Sequence, residues 1–310
     1  MNSYKQITAK TDSSPLQGTF SVSMHGLFEL TKPRLSLMSV FTASLGYLVH
    51  FPLVQDFYIF FSLTIGTAFA AGGAAALNQW MERDEDSLMP RTAKRPIPAK
   101  IIEPEIALVF GVSLSSLGLA ILWIGTNPWA CSLTLLTLFV YLLLYTPLKK
   151  RTPYATEAGA ISGALPPLIG WVAASGEPSL YGWILFGILF AWQLPHFMAI
   201  AWNFRSDYQQ GGFKLHSLGK SDGFHLARKS LIYSFILSGL IFSPYFIETG
   251  QPAPGILYLL SACFLTLYLM IPSLQFFTSP NRDKPAKKLF FVTIIYLPLL
   301  FATLVIDRFL

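Results

Sequence analysis

Charge is what this 310-residue chain has least of. It carries 22 Lys and Arg and 16 Asp and Glu, together 12% of the sequence, where a soluble protein carries about 25%. That deficit excludes most soluble folds. Cysteine is nearly absent as well. Cys131 and Cys263 both fall inside apolar runs, which excludes a disulfide framework and leaves each to read as a small buried hydrophobe. Residues 1–23 lack the apolar core of a signal peptide, and no Arg precedes Arg34, unlike a mitochondrial transit sequence. This polar stretch is expected to be a disordered cytoplasmic tail. What the chain has in abundance is apolar residues, 53% of the total with a mean hydropathy of +0.51.

These residues fall into long runs, and a helix needs about 20 of them to cross the hydrocarbon of a bilayer. Nine runs qualify: 35–53, 57–80, 104–124, 129–148, 155–175, 180–203, 230–247, 254–275 and 289–306. Threading them in alternate directions places 21 of the 22 Lys and Arg residues on one side, with only Arg308 on the other. The positive-inside rule then puts the N-terminus in the cytoplasm and the C-terminus outside. The pI of about 9.2 is thereby explained as topology, and no nucleic-acid partner is needed. The opposite loops are short and nearly uncharged, so chemistry is expected at the cytoplasmic face.

The second run continues into Asn78-Gln-Trp-Met-Glu82-Arg-Asp84-Glu85-Asp86-Ser-Leu-Met89-Pro-Arg91-Thr-Ala-Lys94-Arg95. Asn78, Glu82 and Asp86 stand at i, i+4 and i+8, on one face of a continued helix. Three oxygen-bearing groups stacked at a membrane boundary repel one another unless a cation lies among them. Mg2+, which takes carboxylate and phosphate oxygens together, meets that need. Arg91, Lys94 and Arg95 follow closely, placed for the phosphate oxygens such a metal leaves uncovered. Helical geometry turns Arg83 and Glu85 away from this face, and they read as solvated.

The sixth run ends as Trp192-Gln193-Leu-Pro195-His196-Phe197, then Asn203 and Asp207-Tyr208. Gln193, His196, Asn203 and Asp207 are expected along one helical stripe facing a cavity, with Pro195 kinking the helix. His196 admits three readings: a hydrogen bond to a neighbouring helix, a haem-iron ligand, or an acid/base group. Asn78-x-x-x-Glu82 and Asn203-x-x-x-Asp207 repeat one pattern 125 residues apart. This suggests two related halves that bring two metal-binding ends face to face. Lys32 and Arg34, before the first run, and Lys149, after the fourth, either anchor topology or meet anionic substrate groups. Gly159, Gly163, Pro166, Pro167 and Gly170 mark the fifth run as a packing helix, and Glu157 at its start has no evident partner.

The Asn-x-x-x-Glu-x-x-x-Asp motif with Met89-x-Arg91-Thr92-x-x-Arg95-Pro96, and Trp192-Gln193-x-Pro195-His196-Phe197 with Asp207-Tyr208, resemble the protoheme IX farnesyltransferases (haem O synthases). These form a branch of the UbiA intramembrane prenyltransferase superfamily. The resemblance implies an all-α, nine-helix transmembrane domain over residues 24–310, with a central cavity near the cytoplasmic face of a bacterial inner membrane. It implies transfer of a farnesyl group from farnesyl diphosphate to a vinyl group of haem B, with Mg2+ as cofactor. Haem-handling or oxidase-assembly proteins are partners to look for. Carried over by residue, Asn78, Glu82, Asp86 and Asp207 are metal and catalytic positions, and His196 is turned toward the haem. Lys32, Arg34, Arg91, Lys94, Arg95, Lys149, Gln193, Asn203 and Tyr208 are substrate-binding positions.

Two alternatives stand beside this one. A prenyltransferase acting on a quinone precursor or chlorin is expected to carry more carboxylates in the second motif, where Asp207 is nearly alone, and to lack the Trp-Gln-x-Pro-His-Phe run. A transporter places its binding residues at mid-bilayer, whereas both polar stretches here end at the cytoplasmic boundary.

Overall fold

The computed structural model describes residues 23–210, 223–246 and 253–309. The tail before Ser23, and Lys214, His216 and Lys220, lie outside these. Among the described residues the chain is helical and contains no strand. A short helix α1 (Met24–Leu30), capped by the Ser23 side chain on Gly26 N, leads into α2 (Pro33–His50). Then follow α3 (Phe57–Met81), the short α4 (Arg83–Leu88), α5 (Pro104–Gly125) and α6 (Pro128–Phe139). The remainder is α7 (Ala155–Ser175), α8 (Leu180–Asn203), the short α9 (Arg205–Gln210), α10 (Phe224–Leu240), α11 (Ile256–Thr278) and α12 (Asp283–Ile306).

Among the described residues eight helical stretches are long and apolar enough to cross a membrane; α2, with 18 residues, lies at the first of the nine expected runs but is less apolar than those eight. The protein is a multi-pass membrane protein. Its outward surface is apolar, with Trp123, Trp129, Phe235, Phe264 and Phe291 all exposed, as a surface bathed in lipid requires. Cys263 also lies on this surface rather than in the core. The expectation of a buried thiol fails there because a membrane helix solvates its apolar residues on both faces.

Helices pack through small residues, as the glycines and prolines of α7 foretell. α2 lies along α7 so closely that a Cβ on Gly46 would sit 2.0 Å from Pro167 O, and one on Gly170 1.7 Å from Ala43 O. Both obstacles are backbone atoms, which cannot rotate aside. Gly46→Ala is therefore expected to cost on the order of 1–3 kcal/mol, read as a lower unfolding midpoint in detergent. An unchanged midpoint would show that the two helices separate freely. At the end of the bundle away from most of the basic residues, the Asp307 carboxylate accepts hydrogen bonds from Gly255 N and Tyr258 N. It thereby caps α11 and ties down the C-terminal end of α12.

Candidate active site

The chain's remaining charges gather at the other end. α3 stops at Glu82, whose φ of −101° and ψ of 13° leave the helical region, and α4 starts at the next residue. The break does not scatter the first motif, because Glu82 N bonds to Asn78 O at 3.0 Å and Asp86 N to Glu82 O at 2.8 Å. The i, i+4, i+8 ladder thus runs through the kink. Asn78, Glu82 and Asp86 are 1%, 4% and 1% exposed, and all three line one cavity of about 220 Å3.

Each of the three is matched by a cation. Lys32 Nζ donates to Asn78 Oδ1 at 2.9 Å, Lys149 Nζ to Glu82 Oε1 at 2.8 Å, and Arg95 Nη1 to Asp86 Oδ2. The Asn78 amide is oriented from behind, with Nδ2 donating to Thr146 Oγ1 at 3.2 Å. Thr146 in turn donates to Tyr141 O at 2.9 Å. Burial, and after it the nearby charges of Arg95 and Lys149, push the Lys32 pKa down to about 7. Burial also opposes the charge on Lys149, but Tyr145 and Glu82 outweigh it and hold its pKa above the ordinary lysine value. Several cations crowded at the membrane boundary favour a multiply charged anion between them.

Two features of this wall are not legible as a simple periodicity. Between α6 and Lys149 the chain forms a π-helical turn, Val140–Tyr145, and then one α turn, Thr146–Leu148. Pro147 has no N–H to donate to Leu143 O, so the regular i to i−4 pattern cannot pass through it. The wide turn brings Tyr141 and Tyr145 to the cavity and sets Lys149 Nζ 4.5 Å from the Tyr145 ring centroid. The only sequence signal for these two tyrosines is Pro147 beside a basic cluster. Glu85, which reads as solvated, instead pairs with Lys150, so consecutive lysines clamp α4 through Glu82 and Glu85. Glu157, without a partner in the sequence reading, pairs with Lys229 of α10.

The second motif reaches the same cavity from the opposite wall. α8 breaks at Phe204 and α9 begins at Arg205. Phe197, Ile200, Ala201 and Tyr208 line the cavity. Asp207 Oδ2 lies 3.9 Å from Arg91 Nε. The Arg91 guanidinium also rests 5.3 Å from the Phe204 ring and 5.9 Å from the Tyr208 ring. Arg91 therefore links the two motifs, but of the repeated Asn-x-x-x-acid pattern only the first copy lines the cavity, neither Asn203 nor Asp207 being among its walls.

The expected single stripe on α8 divides. Gln193 is 5% exposed, and its Nε2 donates to Leu189 O at 3.2 Å and Ala160 O at 3.5 Å. It faces α7. His196 faces α12, with Nδ1 2.9 Å from Thr293 Oγ1. A spacing of three residues leaves two side chains about 60° apart on a helix, enough to address different neighbours. Gln193, His196 and Asn203 do not line the cavity, and Arg34 and Lys94 are exposed and also stand away from it. Of the predicted positions the cavity thus gathers Lys32, Asn78, Glu82, Asp86, Arg91, Arg95, Lys149 and Tyr208, with Asp207 held through Arg91.

The UbiA prenyltransferase family model matches residues 39–295. The chain belongs to the UbiA prenyltransferase family. The curated UbiA relatives include a protoheme IX farnesyltransferase of Opitutus terrae, 43% identical over 90% of this chain and 93% of that protein. Another from Solibacter usitatus is 36% identical over 92% and 99%. Among solved UbiA structures, one concerning a digeranylgeranylglyceryl phosphate synthase superposes with a TM-score of 0.77 at 17% identity, covering 91% of this chain and 97% of that one. A UbiA homologue from Archaeoglobus fulgidus bound to GPP and Mg2+ gives 0.62 at 14%, covering 90% and 99%. These two establish the shared fold. With family and curated relatives in agreement, the protein is an intramembrane prenyltransferase.

Proposed function

We propose that this prenyltransferase moves a farnesyl group from farnesyl diphosphate to a vinyl group of haem B, making haem O at the cytoplasmic face of a bacterial inner membrane. The observation that carries the reading is the buried set Asn78, Glu82 and Asp86, each oxygen donor already facing a cation, in a cavity whose other wall is Phe197, Ile200 and Tyr208. A polar wall for diphosphate and an apolar, aromatic wall for a prenyl chain is the division this reaction needs. The acceptor follows the curated relatives named protoheme IX farnesyltransferase. Near-solitary Asp207 in the second motif favours haem over a quinone precursor. The cytoplasmic placement is supported by the gathering of basic residues at this end of the bundle.

The donor set fits Mg2+. Among the described residues no three His, Cys, Asp or Glu side chains cluster, but two carboxylates and one amide supply hard oxygen donors and leave room for phosphate oxygens. The drawing of three cations onto these oxygens marks the position as one that favours positive charge. Asn78, Glu82 and Asp86 would hold the ion, with Asp207 reaching the cavity through Arg91. When bound, it would supply charge neutralisation for the departing diphosphate.

The chain's own residues do the rest. Lys32, Arg95 and Lys149 face the phosphate oxygens as negative charge builds on them, and Arg91, steadied by Asp207 and two aromatic rings, closes the opposite side. As the bond from the farnesyl C1 to oxygen breaks, diphosphate leaves with the electron pair and the allylic cation is shielded by ring faces lining the cavity. The vinyl group's terminal carbon donates its π electrons to C1. Water then adds to the resulting cation beside the porphyrin ring and loses a proton, completing the hydroxyethyl group.

The purified protein in lipid vesicles, given haem B and farnesyl diphosphate, is expected to form product with Mg2+ and none after chelation, activity returning on re-addition of the ion. Undiminished transfer in chelator would remove Mg2+ from the proposal.

A further inference from the structure

His196 lies outside the diphosphate cavity, in surroundings that define one of its ring nitrogens. Its imidazole is stacked between Trp192, at 5.1 Å and 14°, and Phe290, at 5.2 Å and 20°. Nδ1 is 2.9 Å from Thr293 Oγ1. The Thr293 hydroxyl has a single proton to give, and Phe290 O, 2.7 Å away on the same helix, is placed to take it. With the proton there, the hydroxyl oxygen accepts from Nδ1–H, and in a neutral imidazole the lone pair belongs to Nε2. Thr293 is itself held, since Trp192 Nε1 donates to Thr293 O at 2.8 Å. Trp192 thus both stacks on the histidine and anchors the residue that sets its tautomer.

The Nε2 lone pair has no hydrogen-bond partner among the described residues, and Nε2 is not among the sealed buried atoms. A histidine serving as acid or base must pass its proton onward, yet no charged side chain pairs with His196. Its contacts are aromatic rings and the one hydroxyl that already fixes Nδ1. A ligand needs no proton exit. A neutral imidazole held through one N–H, with the other nitrogen bare, is the arrangement in which proteins present histidine to a metal. His196 is also adjacent to Phe197, a wall of the diphosphate cavity.

We infer that His196 Nε2 is the axial ligand to the iron of the haem substrate, and that Thr293 is the positioning residue that fixes its tautomer. The inference rests on haem as acceptor. Coordination through Nε2 holds the porphyrin by its centre, leaving its vinyl edge to reach past Phe197 toward the prenyl group.

The test uses the full-length protein in nanodiscs with ferric haem B, followed by absorption and electron paramagnetic resonance. The wild type is expected to give an imidazole-ligated spectrum and His196→Gly to lose it, free imidazole restoring it. Thr293→Val should weaken haem affinity by about tenfold or more and Thr293→Ser should leave it intact. His196→Gly that binds haem with the wild-type spectrum would overturn the inference. If that variant fails to fold, the Thr293 pair decides alone: equal haem affinity in both overturns it, and loss confined to Val supports it. A wild type that farnesylates haem without an imidazole-ligated spectrum overturns this inference and spares the proposed reaction. A wild type with no saturable haem binding overturns both.

Discussion

Glu82→Gln and Asp86→Asn are each expected to lower prenyl transfer by about a thousandfold or more, with the protein still inserted and folded. Both side chains lie within the one cavity where anionic oxygens and cations interleave, and each substitution removes charge without changing shape. Taking away a single preorganised group that stabilises developing charge costs about 10² to 10³ in rate, and a carboxylate that also holds the metal contributes on both counts. Steady-state rates with farnesyl diphosphate and haem B, at saturating Mg2+, provide the measurement. Retained turnover would reduce the first motif to a topology anchor. A parallel Asp84→Asn control should be nearly silent, since the Asp84 side chain is 86% exposed.

Lys149→Met should have a large effect of a different kind. Its ammonium neutralises Glu82, whose side chain is 5% exposed, and removing one member of a buried pair strands the other at a cost of about 3–5 kcal/mol. The variant is therefore expected to unfold at a distinctly lower temperature in detergent. Because the stranded carboxylate is a proposed Mg2+ ligand, added Mg2+ should recover much of that stability while transfer stays low. The double variant Lys149→Met with Glu82→Gln, with no stranded charge, should be more stable than Lys149→Met alone. A Lys149→Met protein as stable as wild type in chelator would show the pair to be incidental.

Much of this site is readable from the chain because its chemistry is periodic. Nine apolar runs, 21 basic residues on one side, and oxygen-bearing side chains four apart at the end of α3 required no tertiary information. The bond ladder from Asn78 through Glu82 to Asp86 then preserved that periodicity across a helix break. What periodicity cannot convey is which neighbour a side chain meets. Gln193 and His196, three residues apart, go to α7 and α12. Glu157 finds Lys229 72 positions away. Arg34 and Lys94 share the basic clusters of Lys32 and Arg95 but stay at the surface. The π-helical turn that presents Tyr141 and Tyr145 departs from the regular 3.6-residue repeat, and only Pro147 hints at it.

The most direct test of the proposed reaction is one incubation offering two acceptors. The protein in lipid vesicles receives farnesyl diphosphate and Mg2+ with equimolar haem B and an aromatic quinone precursor, and the products are resolved by mass. A porphyrin heavier by one farnesyl group and one hydroxyl group, with the quinone precursor unchanged, is the predicted result. A prenylated quinone precursor beside unmodified haem B would contradict it.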